Sequence, residues 1–411
     1  MGTTRAAAGT TGAATSVGAG SLASLGEAAP DGTTLTELAR AATGDPGAVP
    51  LDAWAEPVDY PFGTPSTAGL DRLKGTARLS GGETAEWSVF VKRLQSVRWW
   101  SGLSVVPEPM RAGFIATMPW RLEVAVHRSG IADLLPDGMR LPAAYRIDET
   151  PDDRATVWME DVVQTERPWD LDRFAHAALL LGRLAARRQP HQVGPLLPRP
   201  GVTTPGHGLR YYAGGRVQRV AVRALAADET WRHPLLSAAV CATGDHLLRA
   251  DLLALAERLP AVLDALDRLP QTYQHGDASP QNLLVPAAEP DTFVVIDWGF
   301  DCPQAAGFDL GQLLIGLGHA GVLEPEALRV VHGVITDAFT EGLNASGTIA
   351  TAAQVRLGYL GSLLVRAAFT ALPLEVLGAK PTDALAGLFL QRVRLTRFMV
   401  DLMRELDLAG A

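Results

Sequence analysis

Residues 274–285 read QHGDASPQNLLV, with a histidine, an aspartate and an asparagine ahead of a short apolar run. After a proline-containing spacer, residues 293–299 read FVVIDWG. Both apolar runs suit short strands and the spacer suits a turn, so the pattern predicts a β-hairpin. The hairpin would bring Asn282 and Asp297 to the same end, where both can converge with Asp277.

Side-chain oxygens that converge in this way suit a hard cation. Mg²⁺ takes carboxylate and amide oxygens, keeps several waters and commonly binds together with nucleotide phosphates. We therefore expect Asp277, Asn282 and Asp297 to surround Mg²⁺ and a nucleotide polyphosphate. A plain turn would also explain an aspartate or an asparagine, but not this order followed by a second strand and a second aspartate. We expect Asp301 to be a loop charge rather than a further ligand.

The spacing of the motif matches a known catalytic loop. Asp277 and Asn282 stand as Asp-x-x-x-x-Asn, as in protein kinases, and IDWG occupies the place of Asp-Phe-Gly. Gly276 stands where protein kinases have arginine. HGDASPQN, followed by IDWG and by GFDL at 307–310, resembles the aminoglycoside phosphotransferase and choline kinase superfamily. The resemblance extends roughly over residues 55–400.

The resemblance implies an α+β, bilobal protein-kinase-like fold and the use of ATP and Mg²⁺. It implies that Asp277 receives or orients the acceptor hydroxyl and that Asn282 and Asp297 bind the metal. His275 would have a scaffold role. Asp309 would brace the catalytic loop through backbone hydrogen bonds, and it can cap the following helix at the same time.

Lys92 is a further candidate for the nucleotide site. Lysine is rare here, occurring at positions 74, 92 and 380, and Lys92 closes the predicted strand WSVFVK. A lysine at a strand end is often a surface residue, but its mobile point charge also suits phosphate. The resemblance implies that Lys92 contacts the α- and β-phosphates and is positioned by Glu123, which lies in a helical pattern.

Four further positions are assigned to the nucleotide site on weaker patterns. The stretch PFGTPSTAG contains Gly63 and Gly69 and can aim backbone amides at phosphate, although it also describes an ordinary surface loop. Met159 and Glu160 end a predicted strand next to the connector between the lobes, where an adenine slot is expected. A methionine in a strand more often fills core.

The chain divides by composition into three parts. Residues 1–50 are rich in Ala, Gly and Thr and are expected to form a flexible tail and lead-in. Residues 51–162 carry strand patterns and predict a β-rich nucleotide-binding lobe. Residues 163–411 carry long helical patterns and predict a helical lobe with the catalytic loop and the acceptor site.

Composition excludes several classes of partner. The net charge of −9 and the pI near 5.5 argue against nucleic acid and against an anionic membrane surface. An uninterrupted apolar run long enough to span a membrane is missing. Two cysteines, Cys241 and Cys302, do not suffice for a disulfide framework or a thiolate zinc site, which fits a cytoplasmic protein. The sequence does not determine the oligomeric state.

Three functions remain open at this point. The leading one is an ATP-dependent kinase that acts on a hydroxyl of a small molecule, such as an antibiotic, a sugar, a nucleoside or an amino alcohol. A protein kinase is second, and Gly276 and the missing Ala-Pro-Glu segment argue against it. The third is a non-catalytic, nucleotide-binding pseudokinase module.

Overall fold

The computed structural model describes residues 19–59, 64–199 and 202–408. It forms two compact units. Unit 1 contains the described residues up to Val124 together with Pro142–Val162, and unit 2 contains Ala125–Leu141 and the described residues from Val163 onward. The change of unit after residue 162 coincides with the expected domain boundary, whereas the assignment of 125–141 to unit 2 was not expected.

Unit 1 contains a five-stranded sheet and unit 2 is mostly helical, which confirms the α+β class. The strands of the described residues are β1 (Val49–Pro57), β2 (Thr67–Arg78), β3 (Thr84–Gln95), β4 (Met139–Arg140), β5 (Ala144–Thr150), β6 (Arg154–Glu160), β7 (Gln271–Thr272), β8 (Leu283–Leu284), β9 (Phe293–Val295) and β10 (Gln304–Ala305).

Helices make up most of the remaining described residues. The α-helices are α1 (Gly32–Thr43), α2 (Glu108–Thr117), α3 (Leu122–Arg128), α4 (Leu171–Arg187), α5 (His207–Tyr212), α6 (Val222–Ala226), α7 (Asp228–Arg232), α8 (Pro234–Thr243), α9 (Leu248–Arg268), α10 (Leu310–His319), α11 (Pro325–Leu343), α12 (Ala352–Leu363) and α13 (Asp383–Leu402). Two segments are π-helical, Ala213–Ala221 and Leu364–Ala368.

The sheet of unit 1 has the order β1-β2-β3-β6-β5, and each neighbouring pair is antiparallel. Side chains of β2 alternate between more and less buried positions, as expected of a strand with two different faces. Strand β6 is buried on both faces. On one face Trp158 joins a core with Val89, and on the other Val157 and Met159 pack with Val124.

The expected flexible tail is wrong for residues 19–50, which are ordered. Ala19–Ala28 forms 3₁₀ turns that are interrupted by a kink at Gly26, and α1 follows with Asp31 as its N-cap. Leu35 and Leu38 lie three residues apart on one face of α1 and are buried in the core of unit 1. This helical spacing of apolar residues outweighs the Ala- and Thr-rich composition on which the expectation rested. Residues 1–18 lie outside the described part of the chain.

In unit 2, two short strand pairs hold the loops of the candidate site. Strands β8 and β9 form the predicted antiparallel hairpin, with Leu283 opposite Val295 and Leu284 opposite Val294. Strand β4 adds to β9 in parallel. Strand β7 pairs with β10, so the two ends of the segment 271–305 lie next to each other. Helices α4 and α9 to α13 supply most of the apolar core around these strands.

Two glycines allow α4 and α11 to pack at close range. A Cβ at Gly182 would lie 2.2 Å from the Phe339 carbonyl oxygen, and one at Gly342 would lie 2.0 Å from the Leu179 carbonyl oxygen. Both neighbours are backbone atoms within helices, so relief requires the helices to move apart. Larger residues at these two positions would therefore separate the helices that carry much of the core.

We expect Gly342→Ala to lower the free energy of unfolding by about 1–3 kcal/mol, because it overpacks this helix contact. Gly333→Ala in the same helix is the matched control, since a Cβ there meets nothing within 4 Å. That control is expected to raise the free energy of unfolding by about 0.5–1 kcal/mol through helix propensity. Urea unfolding measures both, and equal effects of the two substitutions would contradict the close contact.

Within the described residues, no helix combines the length and the apolar content that crossing a membrane requires.

Candidate active site

The loop that begins at Gln274 is held by a buried aspartate. The backbone N–H groups of His275 and Gly276 donate to Oδ2 and Oδ1 of Asp309, each at 2.8 Å. Asp309 occupies the N-cap position of α10, but its side chain makes no capping bond. Burial raises the pKa of Asp309, while the two N–H donors act in the opposite direction. This geometry agrees with the predicted bracing role and shows that the carboxylate serves the loop rather than the helix.

His275 is completely buried and joins the two halves of the site. Its Nδ1 accepts the N–H of Asp277 at 3.2 Å, so the proton lies on Nε2, which donates to the Ile296 carbonyl at 2.9 Å. Burial lowers the pKa of His275, which favours this neutral form. Both ring nitrogens are therefore engaged by backbone atoms. These contacts support the predicted scaffold role, because both ring nitrogens are occupied by the backbone.

Gly276 brings the two loops into contact. Its φ is +90°, and a Cβ there would lie 2.0 Å from the carbonyl oxygen of Gly299. The N–H of Gly299 donates to the His275 carbonyl at 3.0 Å. Only glycine satisfies both the left-handed backbone and the missing side-chain volume. The turn that follows Asp297 is therefore packed directly against the catalytic loop.

Asp277 and Asn282 lie side by side, and Asp297 lies two residues beyond the end of β9, the strand that pairs with β8. Asn282 Nδ2 donates to the Asp277 carbonyl at 2.8 Å, and its own backbone carbonyl accepts the N–H of Ile296 at 3.1 Å. Asp297 has φ +56°, an uncommon conformation for a residue other than glycine. Such backbone conformations concentrate at functional sites. The structure thus brings together the three residues that the motif predicts.

The donor chemistry of this group fits magnesium. Because Asn282 donates through Nδ2, its Oδ1 is the oxygen that remains to bind a cation. Among the described residues, no set of three His, Cys, Asp or Glu side chains forms a metal site by itself. Magnesium does not require one, since it commonly takes one or two carboxylates and completes its shell with water and phosphate oxygens. Asn282 and Asp297 are the residues that would hold it.

Sequence reasoning missed one residue that contacts Asp277. Arg366 Nη2 lies 3.3 Å from Asp277 Oδ1, and its Nη1 donates to the Gly276 carbonyl at 2.5 Å. A signal was present, because Arg366 is the one charged residue in the sequence between Arg356 and Glu375. A lone charge in an apolar helical segment needs a specific partner.

Asp301 lies in the loop after Asp297, and its charge is paired with backbone groups rather than with solvent. It is buried, and its two carboxylate oxygens accept the N–H groups of Leu196 and Leu197, each at 2.8 Å. Beside it, Cys302 Sγ accepts the N–H of Gly208 at 3.3 Å. These bonds fasten the Pro- and Gly-rich segment after α4 to the loop that follows Asp297. The sequence did not show this because the partners are about a hundred residues apart.

In unit 1, Lys92 and Glu123 form the predicted ion pair. Lys92 Nζ lies 3.1 Å from Glu123 Oε2, and the two side chains are 11% and 9% exposed. Strand β3 carries the lysine between β2 and β6, and the first turn of α3 carries the glutamate. A nearly buried ion pair of this kind holds the ammonium group in one place.

The residues that weaker patterns assign to the nucleotide site differ in their surroundings. Gly63 lies outside the described residues. Gly69 lies within β2, where the space of its missing side chain is occupied by the Arg93 guanidinium, so packing accounts for the glycine. Met159 is 3% exposed and fills core. Glu160 ends β6, and its Oε2 accepts the N–H of Ala143 at 3.1 Å.

A model of the phosphotransferase enzyme family (APH) matches residues 171–333 of this chain. The match confirms the predicted resemblance to this phosphotransferase family over that segment. The segment that matches the phosphotransferase family contains the catalytic loop, Asn282, Asp297 and Asp309, and it ends before Arg366. The match supports a small-molecule phosphotransferase.

Several solved structures are similar to this chain at low identity. The aminoglycoside phosphotransferase from Alicyclobacillus acidocaldarius is 14% identical, over 84% of this chain and 91% of that chain, with a TM-score of 0.43. The choline kinase from Cryptosporidium parvum is 9% identical, over 86% and 88%, with a TM-score of 0.43. Likenesses this remote carry no information on the acceptor. No curated protein sequence matches the chain significantly.

Proposed function

We propose that this protein is an ATP- and Mg²⁺-dependent phosphotransferase that moves the γ-phosphate to a hydroxyl of a small molecule. One observation carries the proposal. Hydrogen bonds to the loop backbone hold Asp277 beside Asn282 and the turn of Asp297, while its side chain is 40% exposed. The carboxylate is thus fixed in place and still reachable by a ligand.

The chemistry of this transfer depends mainly on placement. Phosphoryl transfer passes through a loose transition state, so the protein must align a hydroxyl more than it must remove its proton early. Asp277 would accept a hydrogen bond from the acceptor hydroxyl and take up its proton as the new bond forms. Asn282 and Asp297 would hold the magnesium ion, which neutralises charge on the nucleotide phosphates when it is bound.

The remaining residues of the loop act by keeping Asp277 in place. Asp309 fixes the two residues that precede it, and the neutral His275 ring accepts its backbone N–H. Removing these supports would allow the carboxylate to move. Misplacement by about 1 Å can cost about a hundredfold in rate.

The nucleotide assignments in unit 1 stay predictions. Lys92 is expected to contact the α- and β-phosphates, with Glu123 fixing its position, and the ion pair between them supports this role. Glu160 is expected to lie near the adenine. The acceptor is an antibiotic, a sugar, a nucleoside or an amino alcohol, and the chain's acidic balance of −9 does not discriminate among them.

The test is an acceptor panel. Hydroxylated compounds of these four classes are incubated with the protein and Mg-ATP, and mass spectrometry records which compound gains one phosphate. Parallel reactions with EDTA and with Asp277→Asn serve as controls. The proposal predicts a metal-dependent gain on at least one compound. Binding of Mg-ATP without transfer to any compound would indicate a non-catalytic module, and phosphate found only on proteins would indicate a protein kinase.

A further inference from the structure

Arg366 contacts both the backbone and the side chain of the catalytic loop. Its Nη1 donates to the carbonyl oxygen of Gly276 at 2.5 Å, and its Nη2 lies 3.3 Å from Oδ1 of Asp277. The two acceptors belong to consecutive residues, so one guanidinium fork spans them. A lysine at this position would be unable to donate in this planar, two-pronged arrangement.

Aromatic rings hold the guanidinium in position. Its central carbon lies 4.5 Å from the ring centre of Phe300 and 5.5 Å from that of Phe308, and the side chain is 15% exposed. Phe300 follows the Asp-Trp-Gly turn, and Phe308 precedes Asp309. Arg366 therefore contacts both the segment after the Asp-Trp-Gly turn and the segment before Asp309, and these two segments pack on the catalytic loop. A cation stacked on aromatic faces in a poorly hydrated environment has little freedom to move.

The backbone at Arg366 is also unusual. It lies in the π-helical segment Leu364–Ala368, which continues α12. Segments of this kind are rare and are frequent at functional sites. The Arg366 carbonyl accepts the hydroxyl of Tyr212 at 3.2 Å and that of Thr370 at 3.0 Å. In this segment the backbone hydrogen bonds depart from the regular α-helical pattern. The two hydroxyls bond to the Arg366 carbonyl and so stabilise the turn that carries the arginine.

We propose that Arg366 is a positioning residue: by binding the Gly276 carbonyl and Oδ1 of Asp277 it holds the loop in place and leaves Oδ2 to receive the acceptor hydroxyl. This inference rests on the proposed function. The guanidinium engages Oδ1, whereas Oδ2 has one long contact in the described residues, 3.4 Å from Asn282 Nδ2. Oδ2 is therefore the oxygen left to accept the hydroxyl. It lies on the side of Asn282, one of the two residues assigned to the metal.

A packing role alone does not explain this arrangement. An apolar side chain would fill the space between Phe300 and Phe308 without burying a charge, and burying one is costly unless it is paired. The pairing that offsets this cost is with Gly276 and Asp277. The cation is thus matched to the catalytic loop rather than to the surrounding helices.

The test compares Arg366→Met with Arg397→Met. Arg397 lies in the same unit and is 22% exposed, and its ion-pair partners among the described residues are Asp245, Asp251 and Asp401, which all lie outside the catalytic loop. We expect Arg366→Met to lower kcat about 30- to 100-fold while KM for ATP changes less than about twofold, because only placement of the carboxylate is lost. Arg397→Met is expected to keep kcat within about twofold of the parent protein.

Amide hydrogen exchange supplies a readout that needs no acceptor. Residues 274–282 are expected to exchange at least about tenfold faster in Arg366→Met, because local opening costs less free energy there. Arg397→Met is expected to leave this segment unchanged. If the parent protein transfers no phosphate to any acceptor, the proposed function fails, and exchange still decides whether Arg366 holds the loop.

Two results would overturn the inference. One is a kcat for Arg366→Met within about threefold of the Arg397→Met value in a protein that turns over. The other is unchanged exchange of residues 274–282. Should Arg366→Met fail to fold, Arg366→Lys keeps the charge and loses the fork. That variant is expected to lower kcat about tenfold with the same faster exchange, and parental values for it would equally end the proposal.

Discussion

Asp277→Asn is expected to lower kcat for transfer about 10²- to 10⁴-fold while leaving the affinity for Mg-ATP within about twofold. The amide keeps one oxygen for Arg366 and nearly the same shape, so the loop remains in place. What is lost is the charged oxygen that, in the proposed function, orients the hydroxyl and takes up its proton. Steady-state kinetics with the acceptor from the panel, together with calorimetric nucleotide binding, measures both quantities.

Asp301→Asn is the matched control for that substitution. It also changes a carboxylate of unit 2, but one whose two oxygens accept the backbone N–H groups of Leu196 and Leu197. It is expected to lower the free energy of unfolding by about 1–3 kcal/mol, because one buried N–H loses its acceptor. Its kcat should stay within about tenfold of the parent. Full activity of Asp277→Asn would remove the catalytic assignment.

The second large effect is expected from Gly276→Ala, which should reduce kcat more than about a hundredfold. The alanine faces two penalties, a left-handed backbone with φ +90° and a Cβ 2.0 Å from the Gly299 carbonyl oxygen. Together they should lower the free energy of unfolding by about 2–5 kcal/mol. Relief requires the turn of Asp297 to move away from Asp277, which would separate Asp297, a proposed metal ligand, from the Asp277 carboxylate.

Gly244→Ala is the control that measures the backbone penalty without the steric penalty. Gly244 caps α8 with φ +69°, and a Cβ there meets nothing within 4 Å. It should show the backbone cost of about 1–2 kcal/mol alone, with kcat unchanged. The measurements are urea unfolding and kcat for both variants. If Gly276→Ala resembled Gly244→Ala in both, the close approach of the two loops would be contradicted.

Much of the site follows from local sequence. The hairpin of β8 and β9 was predictable because its apolar runs are short, adjacent and joined by a turn, so strand pairing needs no distant partner. That hairpin places Asn282 and Asp297 at one end. The contacts of Asp309 and the pairing of Lys92 with Glu123 were expected from the family motif rather than from local physics.

The remaining features depend on contacts between distant parts of the chain. Arg366 meets Asp277 across 89 residues of sequence, and Asp301 meets Leu196 across 105. Short-range patterns do not specify such pairs, because these depend on how helices stack. The prediction of a flexible N-terminal tail was wrong for a different reason. It rested on composition, whereas the helical spacing of Leu35 and Leu38 indicates a buried helix.

The most direct test of the account is the metal dependence of nucleotide binding. Calorimetry would compare the affinity for a non-hydrolysable ATP analogue in Mg²⁺ and in EDTA, for the parent protein and for Asp297→Ala. The account predicts that Mg²⁺ tightens binding to the parent at least about tenfold, or about 1.4 kcal/mol, and that Asp297→Ala loses most of this gain. Equal affinity of the parent with and without Mg²⁺ would contradict the claim that these residues form a metal–nucleotide site.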